Sequence, residues 1–246
     1  MPIYLDNAAT SHPKPEAVYQ TVNEVLRKVG ANPGRSSHKL AAEASQWISR
    51  TRDLLASLLE IEDPQRIVFT ANATEAINLG LKGVLKPGDQ VITTSMEHNS
   101  VIRPLRFLES RGVETTVVTC SAQGKISIKD IERAIQKNTR LVIMTQASNV
   151  TGGLMPVAEV IQVAHRYGIP VMVDAAQTAG VLPISVKSLA VDLLAAPGHK
   201  GLLGPQGTGF LYVGEGMEVQ PLKEGGTGSK SESETQPDFL PDGILI

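Results

Sequence analysis

Apolar positions recur at helical spacing in the first quarter of the chain and at strand spacing after it. Over 15–29, Val18, Val22, Val25, Leu26 and Val29 form one stripe, which Gly30 can end. Over 38–60 the pattern repeats with Ala41, Ala44, Trp47, Ile48, Leu54, Leu55 and Leu58. Short β-rich runs then occur at 66–70, 90–94, 114–119, 140–145, 170–173, 191–196 and 209–213. Helical segments at 74–85, 100–110, 127–136 and 156–167 separate the earlier runs, with Gly or Pro at most junctions. Leu141-Val142-Ile143-Met144 and Val171-Met172-Val173 are apolar on both faces, as strands covered by helices require. The alternation predicts an α/β fold: a mostly parallel, seven-stranded sheet with right-handed crossovers and helices on both faces. We expect one domain over 1–222, made of an N-terminal helical segment (1–62) and an α/β core (63–222). Residues 223–243 are rich in Gly, Ser, Glu and Pro, so the tail 223–246 reads as a polar loop or a disordered terminus.

Composition narrows the function classes. The chain has 246 residues, with 23 Lys and Arg against 25 Asp and Glu, a formal charge of −2. That balance offers no basic excess for nucleic acid or an anionic membrane. No apolar run approaches the ~20 residues of a membrane span, and the N-terminus lacks the pattern of a signal peptide. A cytoplasmic soluble protein is the expectation. The single Cys120 excludes an intramolecular disulfide and a multi-cysteine metal site. It ends an apolar strand and reads as a half-buried small hydrophobe rather than a nucleophile.

Open α/β sheets bind ligands at the carboxyl ends of their strands, and useful side chains collect there. The junction after Thr70 leads into Ala73 and Thr74, whose backbone N–H groups at a helix start suit a phosphate. His98 follows the 90–94 run, Asn149 follows 140–145, and Asp174 with Gln177 follows 170–173. His199 and Lys200 follow 191–196. Taken singly, each has a plainer reading: a helix cap, a surface imidazole, a turn-forming amide, a solvated amine. Together they supply an anion cradle, a stacking ring, a carboxylate and an amine. Pyridoxal 5′-phosphate needs those four: a lysine for its Schiff base, a carboxylate for the pyridine nitrogen, a phosphate cradle and a group against the ring.

These residues fall in motifs that resemble a known family. Tyr4-Leu-Asp-Asn-Ala-Ala-Thr10, Asn32-Pro-Gly-Arg-Ser-Ser-His38, Ala73-Thr-Glu-Ala-Ile-Asn78, Met96-Glu-His-Asn99, Ser148-Asn-Val-Thr-Gly152, Val173-Asp-Ala-Ala-Gln177 and Gly198-His-Lys200 stand in family order. Over residues 3 to 242 the chain resembles the large domain of class V aminotransferase-fold enzymes, the fold type I group of pyridoxal-phosphate-dependent transferases. Within that group it is most similar to cysteine desulfurases and selenocysteine lyases. The resemblance implies that Lys200 carries the cofactor and shuttles a proton, and that Asp174 holds the pyridine nitrogen. It gives His98 the ring face, Gln177 the phenolic oxygen, and Ala73, Thr74 and His199 the phosphate, with Asn149 beside the ring. It also implies a homodimer, in which Thr227 reaches the partner subunit's phosphate, a cysteine-like substrate and a sulfur-acceptor protein.

Two departures qualify what is carried over. Pro197 stands where the family often has a phosphate-binding serine, and proline offers neither hydroxyl nor N–H. Family chains continue into a small C-terminal domain bearing the nucleophilic cysteine and a substrate-binding arginine, whereas this sequence stops at Ile246. Three functions therefore stay open. They are removal of sulfur or selenium to give alanine, cofactor binding by a large domain without turnover, and another class V reaction such as transamination or β-elimination.

Overall fold

A computed structural model describes residues 3–33 and 38–225 of the chain. Two helices come first, α1 (Glu16–Lys28) and α2 (Lys39–Leu59). A short 3-10 turn at Pro64–Arg66 leads into β1 (Ile67–Thr70). The alternation follows as α3 (Ala73–Val84), β2 (Gln90–Thr94), α4 (Asn99–Glu109), β3 (Glu114–Val118), α5 (Ile128–Ala134) and β4 (Thr139–Thr145). It closes with α6 (Val157–Arg166), β5 (Val171–Asp174), α7 (Val186–Leu189), β6 (Leu193–Pro197) and β7 (Gly209–Val213).

The seven strands form one sheet in the order β1-β7-β6-β5-β4-β2-β3. The run from β6 to β3 is parallel, and β7 lies antiparallel between β6 and β1. The sheet is thus mostly parallel, as the alternation predicts. The antiparallel strand follows from the connection before it, since the turn after Lys200 is too short for a crossover helix.

The apolar runs divide between the faces with period two. Leu141, Ile143 and Met172 pack with Ile77 and Leu81 of α3 and Val101 and Leu105 of α4. Val142, Met144, Val171 and Val173 pack on the opposite face with Leu59 of α2, Ile131 of α5 and Val160 and Ile161 of α6. Helices cover both faces, so strand interiors with no polar position are stable there.

Element bounds match the expectations to within one or two residues. Two differences have physical causes. Helix α7 is a single turn, capped by Ser185 and ended by Ala190 in the left-handed region (φ 54°), too short to show a period. The stripe on α1 is real but not covered: α1 contributes no buried residue, and Leu26 is 71% exposed. Helix α2 does dock, through Ala41, Ala56, Leu59 and a buried Arg52 whose Nε donates to the Ile67 carbonyl at 3.1 Å. No helix among the described residues is long and apolar enough to cross a membrane.

Candidate functional site

The carboxyl ends of the parallel strands open into a cleft of about 490 Å³. Its walls include Ala73, Thr74, His98, Asn149, Asp174, Gln177, His199 and Lys200, so eight of the nine singled-out residues share one cavity. The ninth, Thr227, lies outside the described residues, as does most of the Asn32–His38 motif.

Each side chain is placed by local chemistry. Asn72 caps α3 by accepting the Glu75 N–H at 2.8 Å, and Glu75 accepts the Ala71 N–H at 2.7 Å. These bonds leave the N–H groups of Ala73 and Thr74 without an acceptor among the described residues, at the positive end of the helix. Lys223 offsets the charge of Glu75 beside this cradle by an ion pair at 2.6 Å. Gly209 is required here, because a Cβ on it would lie 2.7 Å from the Asn72 backbone.

His98 is the N-cap of α4. Its Nδ1 accepts the Ser100 N–H at 3.1 Å, which leaves Nε2 to carry the ring proton of the neutral form. Asp174 ends β5, 2% exposed, and its Oδ1 accepts the Ala176 N–H at 2.9 Å. No described residue donates to Oδ2. Burial pushes the Asp174 carboxyl above the ordinary range, while the Ala176 N–H, Lys200 and His98 pull it back. Lys200 Nζ forms no hydrogen bond or ion pair with a described residue. Burial lowers its pKa, and Asp174 opposes that. An amine without a partner, a carboxylate oxygen without a donor and two free N–H groups therefore face one space. That donor set fits a phosphorylated pyridine aldehyde.

Pro197 lies at the end of β6 and lines the cleft, so the phosphate end lacks a side-chain donor at that position. Asn149 sits exposed on a turn whose Val150 and Thr151 N–H groups are both bonded to Ser148 Oγ. Cys120 is half-buried against the apolar core and does not line the cleft, in keeping with its reading as a small hydrophobe.

Two groups of residues escaped sequence reasoning. The first is the segment ahead of α1. The His199 carbonyl accepts from Thr10 Oγ1 (3.0 Å), the Ser11 N–H and Oγ (3.1 Å each) and Lys14 Nζ (2.6 Å). On the opposite side, Gln177 Nε2 donates to the Ala8 carbonyl at 3.0 Å, which leaves its second N–H. Residues 8–14 thus strap the two sides of the cleft together. The second is Glu97, whose carboxyl bonds Thr94 and Thr145 at the foot of the loop bearing His98. The Tyr4–Thr10 and Met96–Asn99 motifs mark both places, but nothing local in them shows where the polar atoms point.

Comparison with known proteins bears on the family and the fold. The protein of Methanothermobacter thermautotrophicus named Probable cysteine desulfurase is 37% identical over 227 residues, which cover 91% of this chain and 56% of that one. The Cysteine desulfurase IscS of Shewanella denitrificans is 38% identical over 218 residues, 87% of this chain and 54% of that one. The solved structure of SspA in complex with cysteine superposes with a TM-score of 0.85 at 35% identity, covering 91% of this chain and 65% of that one. A NifS-like protein gives a TM-score of 0.87 at 32% identity, covering 92% and 62%. The chain spans about half the length of the curated relatives it matches. The aminotransferase class-V family profile matches residues 3–239, and the chain is a member of that family.

Proposed function

We propose that this chain is the cofactor-binding part of a pyridoxal-phosphate-dependent cysteine desulfurase. The observation that carries the reading is the placement of Asp174, Lys200, His98 and the free N–H groups of Ala73 and Thr74 around one cleft. Relatives named cysteine desulfurase support the substrate class.

When bound, pyridoxal phosphate supplies the electron sink that lowers the barrier to removing a proton from the substrate's α-carbon. The chain's own groups bind, orient and move protons. The N-terminus of α3 holds the phosphate through main-chain N–H groups and the helix dipole, with His199 at its edge. Asp174 Oδ2, which no described residue occupies, would accept the pyridine N–H, and the Ala176 N–H on Oδ1 opposes the upward push of burial on that carboxyl. The His98 ring covers one face. Lys200 Nζ anchors the cofactor and then moves the α-proton. Its lowered pKa increases the fraction of free amine at neutral pH, as a base needs. Gln177 offers its remaining N–H to the phenolic oxygen, and Asn149 stands at the side where the substrate carboxylate enters. A homodimer and a protein acceptor for the sulfur complete this reading.

A second reading rests on one further observation. Among the described residues, neither a cysteine nor an arginine lines the cleft. The chain then binds the cofactor and performs proton chemistry, such as transamination or β-elimination, without sulfur transfer to a thiol of its own.

Incubation with pyridoxal phosphate and borohydride, followed by intact mass and peptide mapping, tests the cofactor site. One adduct on Lys200 is expected. No adduct, or adducts scattered over surface lysines, overturns both readings. Given a loaded site, alanine and persulfide formed from cysteine and an added thiol support the first reading, and pyruvate with sulfide, or the 2-oxo acid of the substrate, without persulfide supports the second.

A further inference from the structure

Glu97 has no part in the chemistry described above, yet its carboxyl group is one of the best-bonded polar groups near the cleft. The residue is half-buried, with the carboxyl turned inward away from water. Thr94 Oγ1 lies 2.7 Å from Oε1, and the Thr145 N–H donates to Oε2 at 2.9 Å. The second bond joins the loop after β2 to the last residue of β4. The paired register of β2 and β4 runs from Gln90 to Ile92 on β2, and β4 continues beside β5 as far as Thr145 opposite Asp174. On the β5 side, the Gln146 N–H finds the Asp174 carbonyl at 2.9 Å. The Thr145 N–H points the other way, where β2 has already ended, and Glu97 takes the place of the missing strand.

The loop carrying His98 is consequently held on both flanks. Toward β3, the Ser95 N–H donates to the Val118 carbonyl (3.1 Å) and Ser95 Oγ accepts the Cys120 N–H (2.9 Å). Toward β4, Glu97 is the tether. Asp174 and Lys200 lie on the β4 side, so the imidazole reaches the cleft only if the loop is drawn that way. We propose that Glu97 is the positioning residue for His98: its carboxyl bridges the ends of β2 and β4 and holds the loop that sets the imidazole over the site. This rests on the cofactor reading above only for the use made of His98.

The electrostatics agree with a bridge that carries no charge. Burial pushes the Glu97 carboxyl up to about 8, and Asp174 on β5 adds to the rise, while bonds from Thr94 and Thr145 oppose it. The bond from Thr94 is one that a hydroxyl can reverse, so a protonated carboxyl gives its proton to Thr94 Oγ1 while still accepting from Thr145. Glutamine reproduces that pattern in the same length, with its amide nitrogen toward Thr94. Aspartate is one methylene short of both partners.

The test compares Glu97→Gln with Glu97→Asp in the full chain by NMR of nitrogen-labelled histidine, without cofactor. The chain has five histidines, and loss of a signal in His98→Asn assigns the one that matters. Glu97→Gln is expected to keep the His98 ring resonances. Glu97→Asp is expected to shift or broaden them while the other four hold, and to weaken pyridoxal phosphate about tenfold, the order of one aromatic contact. Unmoved His98 resonances in Glu97→Asp, or equal displacement in Glu97→Gln, overturn the proposal. Collapse of all five signals in Glu97→Asp overturns it too, since the residue is then structural. Because the resonances are read without cofactor, a chain that fails to bind pyridoxal phosphate still decides the matter.

Discussion

The carboxyl of Glu97 accepts the main-chain N–H of Thr145 at 2.9 Å, joining the loop after β2 to the last residue of β4. A side chain here completes a ladder that the backbone leaves open, one residue before an imidazole that faces the cleft. Burial of that carboxyl also gives stability a distinct pH dependence.

In the folded chain the Glu97 carboxyl titrates near 8, well above its ordinary 4.5. Between those values the folded state holds a proton that the unfolded state releases. Stability contributed by this group is therefore lost as pH rises, at up to ~1.4 kcal/mol per pH unit. Glu97→Gln lacks that slope. Its advantage over the parent is expected to grow from near zero at pH 5 to on the order of 4 kcal/mol at pH 8. Denaturant melts at both pH values check this, and parallel pH profiles would refute it.

Lys200 titrates below an ordinary lysine because burial outweighs the help of Asp174. Acylation of Lys200 by a small amine-reactive anhydride, which releases its carboxylate, should half-complete at lower pH than that of the surface lysines. Asp174→Asn removes the opposing charge, so the midpoint should move lower still. A midpoint that rises in Asp174→Asn contradicts the arrangement.

Lys200→Ala is expected to abolish the borohydride-trapped adduct while leaving the melting temperature within a few degrees of the parent. The amine has no hydrogen-bonded partner among the described residues, so its removal breaks no bond, and the buried Asp174 keeps the Ala176 N–H. A retained adduct at another lysine would show that the anchor is elsewhere.

Asn72→Ala removes the cap of α3, whose side chain accepts the Glu75 N–H. The loss should be about 1 kcal/mol in stability. Because the same helix start forms the anion cradle, inorganic phosphate should protect the parent against thermal unfolding more than the variant. Equal protection would place the anion elsewhere.

Cys120→Ser should change stability by less than ~1 kcal/mol, since the side chain is only half-buried. It should leave the trapped adduct intact. Loss of the adduct in that variant would reverse the reading of Cys120 as a packing residue.

Much of this was legible because the fold repeats one rule. Leu141 to Met144 and Val171 to Val173 alternate between two helical layers, so their unbroken apolarity marked buried parallel strands. The ends of the runs at 90–94, 170–173 and 191–196 marked His98, Asp174 and Lys200, since a polar residue after such a strand emerges where the sheet stops. The rest depended on contacts distant in sequence. Thr10 and Ser11 meet His199 almost 190 positions away, and no local pattern foretells that. Glu97 sits between Met96 and His98 in a loop, where a carboxylate ordinarily faces water. The bonds to Thr94 and to Thr145, 48 positions away, turn it inward. The stripe on α1 was correct as a helix signal but silent about what, if anything, lies over it.

The four donors gathered on the His199 carbonyl make the chain's beginning a mechanical neighbour of its reactive amine. Lys200 rides on a peptide unit whose oxygen is fastened to Thr10, Ser11 and Lys14. Slack in that fastening reaches the amine directly, while the sheet, held between α3 and α4 on one face and α2, α5 and α6 on the other, is untouched. A protease that nicks the chain ahead of α1 would thus leave a protein that melts like the parent yet presents a looser lysine. The reactivity of Lys200 is in effect a gauge of whether the first dozen residues are in place.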